Sequence, residues 1–347
     1  MKKLFLNGLG ALILSAGVYS NCLAQDIHFS QFYETSILRN PSLTGIFTGD
    51  YKVGAVYRNQ WSSISKPYQT SLVTVETKFG IGREARDFLS VGVLAYYDKA
   101  GSINMQTMTV YPAVNYNKLL NDEKNTFLSV GFTGGYAQRS FDPSKATFDN
   151  QYQNSAYNAS NASNEQFPNV KLSYWDLGTG ITYSSSGGQN HDINYFVGVA
   201  GYHLTTPKNS FYNKNINLDM KWNVNAGLSS PLSDRYSMQL HANYFRQGTY
   251  NEIIAGGLLG WNKKDESNGT LMFALFAGVF YRVNDALIPT LKLRYKDYSF
   301  AFNYDANVSS LKAGTNLRGG YELTVFKTGF INNPEGNKSR TICPEFY

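Results

Sequence analysis

Between residues 175 and 184 apolar and polar side chains change places at nearly every step. Trp175, Leu177, Ile181 and Tyr183 fall on one parity, and Asp176, Gly178, Gly180, Thr182 and Ser184 on the other. Period-two alternation belongs to a β-strand, whose successive side chains point to opposite faces of its sheet. The rhythm returns in Trp222, Val224, Ala226 and Leu228 against Asn223, Asn225, Gly227 and Ser229. It returns again in Met238, Leu240, Ala242 and Tyr244 against Ser237, Gln239, His241 and Asn243. Near the end, Leu317, Tyr321, Leu323 and Val325 interleave with Arg318, Glu322 and Thr324. Along the whole chain the pattern predicts fourteen strands, the first eight at 51–60, 68–79, 88–98, 104–118, 126–141, 175–185, 192–204 and 220–231. The other six fall at 236–246, 251–262, 270–282, 286–295, 298–305 and 317–326.

That count is even, as single-chain outer-membrane barrels normally require, and most segments reach the roughly ten residues that a tilted strand needs to cross a bilayer. The expected fold is therefore all-β: a transmembrane antiparallel β-barrel of about 14 strands, apolar outside and polar within. Aromatics recur at strand ends (Tyr51, Tyr57, Tyr96, Tyr97, Trp175, Tyr183, Trp222, Trp261, Tyr281, Tyr295), as in the two girdles of such a barrel. An even strand number also puts both chain ends on the periplasmic side. The longest connections, 142–174 and 205–219, then fall outside the cell, where long loops belong.

Composition narrows the alternatives. The chain holds 26 Tyr and 22 Phe against 10 Pro, yet its longest apolar run, Leu271 to Tyr281, matches one strand and is too short for a transmembrane helix. Lys2 and Lys3, the apolar run Leu4 to Val18, and the small residues Cys22 and Ala24 read as a signal peptide cleaved after Ala24. Lipid modification of Cys22 is the rival reading, but Asn21 stands where such a cysteine usually follows Gly or Ala. The chain thus divides into a signal peptide (1–24), a periplasmic N-terminal segment (25–50) that could alternatively fold back into the lumen, the barrel (51–326) and a periplasmic tail (327–347). Past the cleavage point only Cys343 remains, so no internal disulfide can form. The formal charge of +6, two units of which leave with Lys2 and Lys3, is too mild and too dispersed for nucleic acid.

Candidate chemistry is sparse. His28, His191, His203 and His241 show no metal-ligand spacing, and neither HExxH nor CxxC occurs. Ser185-Ser186-Gly187 lacks the context of a nucleophile elbow. No helix follows the glycines of 131–135 or 256–260, which read as places where a wall bends or packs rather than as phosphate loops. No catalytic, metal or cofactor-binding residues are expected. Charges on the polar faces (Arg58, Glu76, Arg139, Asp176, Lys292, Arg294, Arg318, Glu322) either line a solvated channel or pair across a plugged lumen.

The segments Gln25-Asp26-Ile27-His28-Phe29-Ser30-Gln31-Phe32-Tyr33, Asn40-Pro41-Ser42-Leu43-Thr44-Gly45 and Tyr57-Arg58-Asn59-Gln60-Trp61, with Cys343-Pro344 near the end, resemble the PorP/SprF family. Its members typically carry an FSQ-aromatic opening, an NPAxxG turn, an RxQW strand end and a terminal CPRF, where this chain has Glu345 in place of Arg. The resemblance implies an outer-membrane protein of the type IX secretion and gliding machinery. It would help secrete or anchor a partner, the C-terminal domain of a cell-surface adhesin, and could meet other type IX components. The corresponding signature positions are Phe29, Ser30, Gln31, Asn40, Pro41, Gly45, Arg58, Trp61, Cys343 and Pro344, with a structural role expected: Pro41 fixes φ, and Gly45 is free to take positive φ. Direct contact with cargo is not expected of them, because they precede the first strand on the periplasmic side. The leading expectation is a non-catalytic barrel with the lipid bilayer and a secreted adhesin as partners. The alternatives are a channel for small solutes and a barrel enzyme.

Overall fold

A computed structural model describes residues 26–331, apart from positions 64, 82–85, 154, 189–191, 213–214, 265–270 and 310–311. The expected signal peptide, His191, Cys343 and Pro344 lie outside the described residues. Fourteen antiparallel strands form one closed barrel. They are β1 (Tyr51–Gln60), β2 (Tyr68–Ile81), β3 (Asp87–Ala100), β4 (Met105–Asn121), β5 (Thr126–Ser140), β6 (Lys171–Gly187) and β7 (Ile193–Tyr202). There follow β8 (Lys221–Pro231), β9 (Tyr236–Gln247), β10 (Tyr250–Lys264), β11 (Leu271–Arg282), β12 (Ala286–Tyr295), β13 (Tyr298–Asn307) and β14 (Arg318–Gly329). Each pairs with the next, and β1 pairs with β14 to leave no open edge, with Arg58 opposite Glu322. Closure is what makes a sheet compatible with hydrocarbon, because every backbone donor and acceptor then finds a partner within the wall.

The alternation sorts as expected. Trp175, Leu177, Ile181 and Tyr183 stand exposed on the outer wall, as do Val73, Val75, Leu259, Leu291, Phe300 and Phe302. In water such a belt would be an untenable apolar surface; against acyl chains it is the proper face. Thr74, Ser90, Asn115, Thr182, Asn225 and Thr290 turn inward and are buried. The long connections, 141–170 and 203–220, lie at one end of the barrel, and the chain enters β1 and leaves β14 at the other. By the loop-length rule the first end faces outward and the second the periplasm.

The N-terminal segment departs from its expected place beneath the barrel and takes the alternative place, the lumen. Asp26 bonds to His203 and Gln247 at the outer end, and Asp50 reaches Gly329 at the periplasmic end, so the segment descends the whole barrel. Residues 29–37 are buried throughout, and a single helical turn, α1 (Ser36–Arg39), leads into a 3-10 turn at Pro41–Leu43. The physical reason is apolar content. Phe29, Phe32, Tyr33, Ile37, Leu43 and Ile46 could not stay solvated in the periplasm, and inside they enter three apolar clusters.

The plug also explains where alternation fails. Strand β11 is apolar on both parities because Leu275 and Val279 face lipid while Phe276 and Phe280 face the plug. Tyr33 sits between His241 and Phe280, with ring centroids 5.0 Å away on each side. Glycines supply the clearance elsewhere. A Cβ on Gly131 would lie 2.3 Å from the backbone of Pro41 and Ser42, and one on Gly180 would lie 1.9 Å from the Asn40 side chain. Their expected role, letting the wall pack closely, is met at Gly131 by the plug itself.

Candidate functional site in the lumen and at the outer mouth

Below the outer mouth a charged layer fixes the plug. Arg58 of β1 pairs with Asp305 at 3.1 Å and Glu322 at 3.0 Å, and its guanidinium also donates to the His28 carbonyl. Glu322 accepts the backbone N–H groups of Ser30 (2.6 Å) and Gln31 (2.8 Å), while the Ser30 hydroxyl donates to Asp305 at 2.7 Å. Arg282 closes the circuit by donating to the Ser30 hydroxyl at 2.6 Å and pairing with Asp305 at 3.2 Å. Charge-assisted bonds of this kind are strong where water is excluded, and each is costly to leave half-made.

Deeper in, Arg39 donates to the carbonyls of Ala226 (2.8 Å) and Ala242 (3.0 Å), and Tyr202 donates to the Ile37 carbonyl at 2.6 Å. Asn40 caps the Pro41 turn by accepting the Ser42 N–H at 3.0 Å, and Asn115 donates to the carbonyls of Ser42 and Thr44. Gly45 has φ +79, and a Cβ there would strike Ser90 at 2.0 Å, so both conformation and space demand glycine. Its N–H donates to Glu76 at 2.9 Å, and Lys292 pairs with Glu34 at 2.6 Å near the floor.

The signature positions therefore divide into groups that meet. Ser30, Gln31 and Arg58 join in the charged layer, with Phe29 packed near Val56 and Phe326. Asn40, Pro41 and Gly45 form the lower turn against the wall. Trp61 ends β1 at φ +56, with its N–H donating to Gly319 and its ring edge-on to Tyr68 at 4.9 Å. Their position is corrected in one respect: Phe29 to Gln31 lie in the outer half of the lumen, not at its periplasmic side. Of the charges with two readings, Arg58, Glu76, Asp176, Lys292 and Glu322 are buried and bonded to the plug or to groups around it, whereas Arg318 is exposed.

At the outer mouth His203, just past β7, lies between two carboxylates: Asp176 at 2.8 Å and Asp26 at 2.6 Å, with Lys221 at 3.5 Å from Asp26. In the sequence this histidine reads as one of four scattered ones, because nothing local links 26, 176 and 203. Burial opposes charge on His203, but Asp26 and Asp176 outweigh it and lift the ring to about 9 from 6.5. The sign follows from a raised value: the contribution is full below about 6.5 and disappears as pH rises through about 9. We expect the thermal midpoint of the purified barrel to drop between pH 7 and 10, by the equivalent of at most about 3 kcal/mol. In His203→Gln that component of the drop should vanish; an unchanged pH profile would mean that the ion pairs of His203 with Asp26 and Asp176 do not hold the plug.

Above the mouth, the two long loops pack on each other. Phe141 meets Phe167 at 5.5 Å and Phe211 at 4.9 Å, and Arg139 donates to Asn209 at 2.6 Å. Tyr152–Gln153 and Ala156–Tyr157 form a two-residue ladder at the loop tip, and Tyr152, Tyr157, Tyr212 and Ile216 remain exposed. Among the described residues no cluster of His, Cys, Asp and Glu could hold a metal ion.

The family model described as type IX secretion system membrane protein PorP/SprF matches residues 21–326. No curated protein matches the chain. Solved structures that resemble it include the toluene transporter TbuX of Ralstonia pickettii, 9% identical, which covers 85% of this chain and 93% of its own at a TM-score of 0.45. The translocator domain of the autotransporter NalP from Neisseria meningitidis is 11% identical and covers 86% and 95%, at a TM-score of 0.42. Likenesses this distant carry no argument about what the chain does.

Proposed function

The chain belongs to the PorP/SprF family of type IX secretion system membrane proteins, and from that premise we propose that its outer face retains a secreted partner at the cell surface. The partner is the C-terminal domain of an adhesin, held without catalysis, with other secretion components met at the barrel's periplasmic side. One observation carries this reading: below the outer mouth the lumen is filled by the chain's own residues 26–48, which favours the outer loops as the surface that grips another protein. The exposed rings of Tyr152, Tyr157 and Tyr212 combine apolar area with a hydroxyl, a chemistry enriched where proteins recognise one another. The same filling speaks against a channel for small solutes.

Deletion of residues 145–169 tests the proposal. Partner retained on washed cells should fall at least about tenfold, the equivalent of about 1.4 kcal/mol of affinity, while the barrel still shifts in heat-modifiability gels. Full retention by a folded deletion variant would move the contact elsewhere.

A further inference from the structure

A cavity of about 440 Å³ opens at the outer mouth beside the charged layer. His28, Trp61, Tyr250, Glu252, Arg282 and Asp285 line it, so the plug and three separate strand ends contribute. Its charge does not balance. Arg282 contacts Asp285 at 2.9 Å, Asp305 at 3.2 Å and Glu252 at 3.6 Å, and the neighbouring Arg58 contacts Asp305 and Glu322. Two guanidinium groups thus face four carboxyl groups, so acidic side chains outnumber basic ones; Glu252, Asp305 and Glu322 are buried and Asp285 stands half-exposed at the rim. Lys221, the next cation along the mouth, is held by Asp26 at 3.5 Å, and Lys292 by Glu34 at the floor.

Two further features bear on a ligand. The His28 ring lies with Nδ1 3.8 Å from Glu252, too far for a hydrogen bond, and that nitrogen has no hydrogen-bond partner. Meanwhile Trp61 and Tyr250 place two aromatic residues on the lining, where ring faces attract organic cations. Gln60 and Trp61 of the RxQW strand end are on its lining, as is His28, the residue before the FSQ motif.

We propose that this cavity is a binding site for an organic cation: an ammonium or guanidinium group on an alkyl stem. The head group would approach Glu252 and Asp285, and the stem would lie along Trp61 and Tyr250. A lysine or arginine on a peptide and a free polyamine share this chemistry. The site stands independently of whether the long loops hold a partner, because no residue of 145–169 lines it.

Isothermal titration of the purified, detergent-solubilised barrel tests it, with tri-lysine, tri-arginine, putrescine and tri-glutamate as probes. A cationic probe should bind with 1:1 stoichiometry and tri-glutamate should not. Asp285→Asn, a conservative change at a half-exposed rim position, should weaken cation binding about tenfold without altering heat-modifiability. Glu252→Gln should do the same. Preference for the tripeptides identifies a basic segment of a protein as the source, and preference for putrescine a free polyamine. Binding of tri-glutamate at equal strength, no binding of any cation, or cation binding unchanged in both variants would each overturn the proposal.

Discussion

Arg58→Ala is expected to destabilise the barrel by about 3–5 kcal/mol, the range for removing one partner from a buried ion network. Arg58 is almost fully buried and contacts Asp305, Glu322 and the His28 carbonyl together. Its loss would leave Asp305 to Arg282 alone, and Glu322 would hold the Ser30 and Gln31 amides without its counter-charge. Arg58→Lys should recover only part of the loss, because a single ammonium cannot reproduce the planar fork that reaches several acceptors. Urea unfolding in lipid vesicles, followed by tryptophan fluorescence, reads both variants. A loss below about 1 kcal/mol for Arg58→Ala would mean that the layer is hydrated and loosely held.

Deleting residues 26–48 is expected to open the barrel. The wall should survive, since the ladder from β1 to β14 is continuous without the plug. Its interior would change character. Glu76, Lys292, Arg58 and Asn115 would lose plug partners and take up water, while Phe276, Phe280 and Ile288 would be left facing an aqueous lumen. Undoing burial of a large apolar side chain costs about 1.5–3 kcal/mol, and several are involved, so the deletion variant should melt well below the parent. It should also pass ions.

The wall was readable from its parity. The first strand falls where alternation puts it, at 51–60, and Asp176, Asn223, Asn225 and Glu322 face inward as their polar phase requires. Strand ends were less legible: β6 extends to 171–187 and β14 to 329, because the rims are wet on both sides and alternation carries no information there. The plug was harder still. Its single helical turn is too short to show a period, and its partners lie far away in sequence. A trace nevertheless exists on the strands that receive it. Phe196, Phe276, Phe280 and Ile288 break the polar phase of the inner wall, and Gly131, Gly180 and Gly198 interrupt it with missing side chains. Bulk and gaps on a face expected to be polar are the imprint of something packed against it. The charges of Arg58 and Glu322 could be placed on the inner face from sequence, but their meeting with Ser30 and Gln31 could not.

Conductance in a planar bilayer separates a filled lumen from a solvated one, because the two differ in what they let through. The mature chain should insert and stay electrically silent, and the variant lacking 26–48 should give stable steps of porin size. Porin-like steps from the intact mature chain would mean that residues 26–48 do not fill the lumen.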